Sequence, residues 1–178
     1  WPGFGYGIRT AMILTIWRHG TAAEGDDDRL RELTDSGRDD VGFGSHRFHE
    51  ACITNNIPHP HTILHSPLVR SSQTAEIIAA AFTDASARAV QALQPGNKPA
   101  AVDESVSRFI DFRMQQQHIV LVSHQPLVSH LVDYYLAGAG SVPFLTPGGL
   151  VSLSLDVLAP LCGMLLFWAL PPEYETGA

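Results

Sequence analysis

The chain is poor in cysteine, with Cys52 and Cys162 alone among 178 residues. No disulfide framework is expected, and such usage fits a reducing, cytoplasmic setting. A positive balance is also missing. Eighteen acidic residues against 11 basic ones give a formal net charge of −7, so no general affinity for nucleic acid or an acidic membrane surface is expected. Any anion must be held by a local cluster working against the global field. No apolar run approaches the ~20 residues that span a bilayer. The longest, Leu158 to Leu170, contains Pro160 and Gly163 and reads as a core hairpin. Zinc signatures are lacking as well: there is no HExxH and no paired-cysteine spacing. The nine histidines therefore imply no metal, and no organic cofactor is expected. His46, His49, His59, His61, His118 and His130 read as solvated, and His65 as a buried structural histidine at a strand end.

What is present is enough for a sizeable core, with 45% hydrophobic residues in a chain of single-domain length. Residues 1–11, "WPGFGYGIRTA", have neither the basic start nor the apolar centre of a signal peptide. Met12 directly precedes the first strand-like run and looks like a native start. We expect residues 1–11 to be a non-functional extension, 12–170 a single domain and 171–178 a tail.

Strand and helix signals alternate along that domain. "MILTIW" (Met12 to Trp17) is a strand with Trp17 in the core. Thr34 is an N-cap for a helix from Asp35 into the Asn55-Asn56 region, weakened in its first half by Gly37, Gly42 and Gly44. "HTILHS" is a second strand, and Ser71 to Phe82 a helix with one apolar face. Residues 89–100 read as a short strand and a Pro/Gly loop. Val102 to Gln117 reads as a helix, from the three-and-four spacing of Val106, Phe109, Ile110 and Arg113. "HIVLVSH" (His118 to His124) is a continuous apolar run, as expected of a strand buried on both faces. Pro126 stands where a helix tolerates proline, at the first turn, and "LVSHLVDYYL" continues it. Two strands in a hairpin close the chain. Such alternation argues for an α/β sandwich with a mostly parallel sheet.

Ligands of open α/β sheets bind at the carboxyl ends of the strands. The first strand delivers Arg18, His19 and Gly20 to that edge. The second delivers Ser66, Pro67 and then Arg70, and the buried strand delivers Ser123 and His124. Two arginines and two imidazoles would meet there, near helix N-termini, which suits a tetrahedral oxyanion such as phosphate. A neutral imidazole can attack phosphorus and carry the phosphoryl group. Arginine forks match two oxygens at once, and Gly20 would let the backbone turn sharply beside the nucleophile. Singly, "RHG" or "SHQP" is a weak signal; the conjunction of three strand ends is what points to this chemistry.

"RHG" after a first strand, "LTDSGRDD", "SPLVRSSQTAE" and "LVSHQPLV" resemble the histidine phosphatase, or phosphoglycerate mutase-like, superfamily. "RELTDSG", "LQPGNKP" and "VSHQPLVSHLV" are closer to the SixA-type phosphohistidine phosphatases. The resemblance runs from about Met12 to Leu170. It implies a three-layer α/β/α sandwich, phosphoglycerate mutase-like. It also implies that His19 is the phosphorylated nucleophile, with Arg18, Arg70 and His124 binding phosphate and completing the catalytic set. Arg31 would face the phosphate too, and Gly20 and Thr21 would support the site. The implied substrate is a phosphorylated protein, such as a histidine-containing phosphotransfer domain of a signalling relay. A small-metabolite phosphatase using the same site is the alternative, and a silent phosphoprotein-binding domain a third.

Many members of that superfamily carry a glutamate, on a segment inserted after the second arginine helix, that protonates an alkoxide leaving group. The stretch between Phe82 and Ile119 is short here, and Asp84, Asp103, Glu104 and Asp111 lie in no version of that segment. General acid catalysis is typically worth ~10²–10⁴-fold, so its loss favours phosphohistidine, whose leaving imidazole needs less help. Glu24 or Asp26 in the first loop would be the substitute donors.

Overall fold

A computed structural model describes residues 12–178 apart from 112, 113, 115, 138 and 139. Residues 1–11, expected to be an extension, and Arg113 of the expected third helix lie outside the described residues. The elements are β1 (Met12–Arg18), α1 (Asp35–Thr54), β2 (Thr62–His65), α2 (Val69–Ala80), β3 (Ser86–Ala89), α3 (Pro99–Val106), β4 (Gln117–Ser123), α4 (Leu127–Tyr135), β5 (Leu150–Leu155) and β6 (Gly163–Ala169), with short 3₁₀ turns at Gln91–Leu93 and Ser107–Phe109.

The six strands form one sheet in the order β3-β2-β4-β1-β5-β6. β3, β2, β4 and β1 are mutually parallel, whereas β5 runs antiparallel to both β1 and β6. The period-2 alternation of strand side chains divides the core in two. Leu14, Ile16, Leu64, Ile119 and Leu121 face a layer that includes Val102 and Val106 of α3 and Leu131 of α4. Trp17, Ile63, Val120 and Val122 face the other layer, with Val41 and Phe48 of α1 and Ile78 of α2. The result is the three-layer α/β/α sandwich that the sequence leads one to expect.

Thr34 caps α1 as expected, its Oγ1 accepting from the Gly37 amide at 3.0 Å. Two of the three glycines of α1, Gly37 and Gly44, are contact points. A Cβ on Gly37 would stand 2.2 Å from the Thr21 carbonyl oxygen, and one on Gly44 would stand 2.4 Å from the Tyr174 ring. The helix accepts the propensity cost of glycine so that the loop after β1 and the C-terminal segment can lie against it. Residues 171–178, expected as a tail, fold back: Tyr174 is buried and Gly177 pairs with Trp168.

The expected helix over 102–117 is corrected in both directions. It begins earlier, at Pro99, where proline at the first position suits a helix start. It ends at Val106 and passes into the 3₁₀ turn, with the Ser107 hydroxyl donating to the Glu104 carbonyl at 2.8 Å. Gln117 is drawn into β4 by pairing with Met12, so tertiary strand pairing overrides local helical spacing.

His118 is not solvated. It is fully buried, where its Nδ1 donates to the Pro58 carbonyl at 2.7 Å and its Nε2 meets Thr15 Oγ1 at 2.8 Å. A carbonyl only accepts, so Nδ1 carries the proton and Thr15 donates to Nε2. Thr15 then accepts from Ser152, 2.7 Å away. Among the described residues, no helix is long and apolar enough to cross a membrane.

Candidate active site

The parallel register brings three strand ends level. Arg18 pairs with Ser123, and Trp17 and His65 both pair with Val122. Beyond this line the chain leaves the sheet with its next residues still tied to it. His19 N–H donates to the Ser123 carbonyl at 3.0 Å, and Ser66 N–H to the Val122 carbonyl at 3.0 Å. His19, His124 and, from the first turn of α2, Arg70 converge at this edge. The Gly148 amide donates to the Arg18 and His19 carbonyls at 3.1 and 3.0 Å, so the "TPGG" turn closes the far side.

His19 Nδ1 lies 2.7 Å from the carbonyl of Gly20. Because that oxygen can only accept, the ring proton sits on Nδ1 and the lone pair on Nε2. Arg70 Nε donates to this Nε2 at 3.2 Å. The His124 ring lies 4.8 Å from the His19 ring, centroid to centroid, tilted by 58°, and its Nε2 meets the Ser71 hydroxyl at 3.2 Å. Arg18 is part-buried: Nη1 donates to the Leu145 carbonyl at 2.9 Å, and its guanidinium carbon lies 5.7 Å from the Phe144 ring centre. Phe144 itself is 65% exposed.

Four buried side-chain polar atoms find no partner among the described residues: Trp17 Nε1, Arg18 Nε, Gln117 Oε1 and His124 Nδ1. Unpaired buried polar atoms are uncommon and call for an explanation. Two of these belong to the converging cluster.

Burial pushes His19 down to about 4, helped by the positive charges of Arg70, Arg18 and Arg31 and opposed by the bond to the Gly20 carbonyl. Burial, then neighbouring His19 and Arg70, take His124 down to about 3. Both rings are neutral at pH 7, and His19 Nε2 is a free base among cations.

Gly20 does not use glycine's left-handed freedom, since its φ is not positive. It serves space: a Cβ there would stand 2.8 Å from the Val41 side chain and 2.9 Å from the Gly37 carbonyl oxygen. Thr21 acts through its backbone, its carbonyl accepting from the Thr34 amide at 2.9 Å. Arg31 reaches the cluster indirectly. Its Nε donates to the Ala23 carbonyl at 2.7 Å, and its Nη1 pairs with Asp28 Oδ1 at 3.1 Å. The Val69 amide, at the start of α2, is taken by the Arg29 carbonyl at 3.1 Å.

Three residues that sequence reasoning passed over belong to this neighbourhood. Thr74 is buried, accepts from the Gly20 amide at 3.1 Å and donates to the Arg70 carbonyl at 2.7 Å. Ser71 contacts His124. Asp28, rather than Glu24 or Asp26, is the first-loop carboxylate joined to the cluster: its Oδ2 lies 3.1 Å from Arg70 Nη2. The hydrogen bond from Arg70 holds the Asp28 carboxyl below its ordinary range. Thr74 could have been found from helical spacing, since it lies four residues after Arg70, whereas Ser71 is only its chain neighbour. Asp28 had no such signal. The described residues contain no group of three or more His, Cys, Asp or Glu arranged to hold a metal.

No protein-family model and no curated protein matches the chain. Solved structures do match. The protein histidine phosphatase SixA complexed with tungstate aligns with a TM-score of 0.72 at 24% identity, covering 88% of this chain and 96% of that one. Phosphoglycerate mutase from Plasmodium falciparum aligns with a TM-score of 0.61 at 17% identity, covering 88% and 89%. A mycobacterial glucosyl-3-phosphoglycerate phosphatase aligns with a TM-score of 0.61 at 15% identity, covering 87% and 97%. The α/β/α sandwich described above is thus the phosphoglycerate mutase-like fold, the fold of SixA and of its histidine phosphatase relatives.

Proposed function

We propose that this protein is a phosphatase that works through a phosphorylated His19, and that its preferred substrate is a phosphohistidine borne by a signalling protein. The observation that carries the proposal is the neutral His19 Nε2, held by its own Nδ1 bond and placed 3.2 Å from Arg70 Nε. Its lone pair attacks phosphorus in line. The bond from phosphorus to the substrate nitrogen breaks, and the protonated substrate imidazole leaves neutral. Water then attacks the phospho-His19 intermediate, releasing phosphate and restoring the ring. Arg18, Arg70 and His124 donate to the phosphoryl oxygens throughout, supplying the alignment and charge stabilisation that phosphoryl transfer needs. The unpaired Arg18 Nε and His124 Nδ1 are the donors that an oxyanion would satisfy. Thr21 and Gly20 hold the nucleophile's loop, and Arg31 adds positive charge. None of these steps requires a metal or organic cofactor.

The substrate preference follows from the carboxylate in the cluster. Asp28 is paired to two guanidinium groups, which favours its ionised form, and an ionised carboxylate has no proton to give to an alkoxide. A phosphohistidine needs less help, because its imidazole leaves neutral once its ring is protonated. Small metabolite monoesters are the second reading, supported by the fold shared with a glucosyl-3-phosphoglycerate phosphatase.

The test pairs a phosphohistidine protein with a panel of small phosphate monoesters, wild type against His19→Ala, without added metal. The expected result is fast, His19-dependent phosphate release from the phosphohistidine and weak turnover of the monoesters. Equal or faster hydrolysis of a sugar or glycerate phosphate would overturn the substrate assignment.

A further inference from the structure

Asp28 stands in an exposed loop, yet it makes two contacts to Arg70. A guanidinium presents two forked edges in its plane: Nη1 with Nη2 at the end, and Nε with the second Nη2 hydrogen along the side. Asp28 takes the end edge. Its main-chain carbonyl accepts from Nη1 at 2.5 Å and its Oδ2 accepts from Nη2 at 3.1 Å. The side edge remains, and its Nε is the atom that lies 3.2 Å from His19 Nε2. The other carboxylate oxygen, Oδ1, accepts from Arg31 Nη1 at 3.1 Å. One residue thus sets the plane of one arginine and ties a second arginine to it.

We propose that Asp28 is a positioning residue for phosphoryl transfer, holding the Arg70 guanidinium so that its side edge faces the nucleophile and the phosphoryl oxygens. An anion that merely competed with the substrate would sit on the side edge, against His19. Asp28 sits on the opposite fork, and its charge offsets part of the cost of keeping Arg70 almost wholly buried, at 5% exposure. The inference rests on the phosphatase reading of the site and adds to it a residue that never touches the substrate.

The experiment uses the full chain with orthovanadate as the probe, measured by calorimetry, alongside phosphohistidine turnover and thermal melting. Asp28→Ala is expected to weaken vanadate binding and slow turnover by about tenfold each, the scale of one charge-assisted hydrogen bond. Asp28→Asn, which keeps an acceptor for Nη2, falls between. In an Arg70→Ala background, Asp28→Ala changes neither quantity further, which a purely structural role would not produce. An undiminished Asp28 effect without Arg70 overturns the inference, and so does tighter vanadate binding in Asp28→Ala. Wild-type turnover that depends on His19 but ignores Asp28 also removes the inference and leaves the phosphatase reading standing. A wild type that binds no vanadate removes both.

Discussion

Arg70 Nε donates to His19 Nε2 across 3.2 Å, so the cation that would clamp a phosphoryl group already rests on the nitrogen that would attack it. The contact joins the second residue of α2 to the first residue beyond β1. It keeps the lone pair aimed into the cluster, and in the proposed reaction a phosphoryl oxygen would take over the Arg70 donor.

Arg70→Lys tests this relationship. Lysine keeps the charge and loses the planar fork, so the single-turnover rate of phospho-His19 formation should fall by roughly 10²–10³-fold, the range seen when one preorganised donor is removed. A loss below fivefold would mean that charge alone suffices.

Acid should act on both activity and stability. His19 and His118 are lowered to about 4 and His124 to about 3, burial being the first cause in each. The unfolded chain takes up these protons near the ordinary histidine value of about 6.5. It therefore binds more protons than the native state between about 6.5 and 4, and stability is lost as pH falls through that window. The urea midpoint should drop between pH 7 and pH 5. The acid limb of kcat/KM should lie near pH 4, because His19 must be neutral to attack. An acid limb at 6.5 would show that His19 titrates as a solvated ring.

Thr74→Val keeps the shape and deletes the hydroxyl between loop and helix. The Gly20 amide would lose its acceptor. A buried unpaired amide costs about 1–3 kcal/mol. Urea denaturation should register that loss, with slower turnover because Gly20 adjoins His19. An unchanged midpoint would mean that water reaches the amide.

Gly37→Ala should be worse than an ordinary helix glycine replacement, where alanine usually gains about 1 kcal/mol. Its Cβ meets the Thr21 carbonyl at 2.2 Å, so the loop carrying His19 must shift. Gly42→Ala, with nothing within 4 Å, is the matched control and should stabilise. Equal melting temperatures for the two variants would remove the close-approach argument.

Much of this architecture is legible in the order of residues. Thr34 announces its helix by capping chemistry, and β4 announces its burial by an unbroken apolar run. The cluster of Arg18, His19, Arg70 and His124 could be anticipated because each lies at or just beyond the end of a strand, and parallel strands deliver their ends to one edge whatever the details of packing. Helix α3 departs from its expected span because Phe109 and Ile110 keep helical spacing while pairing with β1 pulls Gln117 into the sheet. The burial of His118 is not legible in the sequence because it depends on Thr15 and Pro58, partners 103 and 60 residues away.

The chain's own sequence therefore determined the elements, their layering and the edge where the reactive side chains gather, since periodicity, capping and strand order are properties of neighbours in the chain. Only the tertiary structure decided which groups touch. Asp28 reaches Arg70 across 42 positions because a loop with no periodicity folds over α2. Gly20, Gly37 and Thr74 matter through distances that no spacing in the sequence encodes. Side-chain contact depends on the packing of distant segments, and that packing is settled only when the whole core closes.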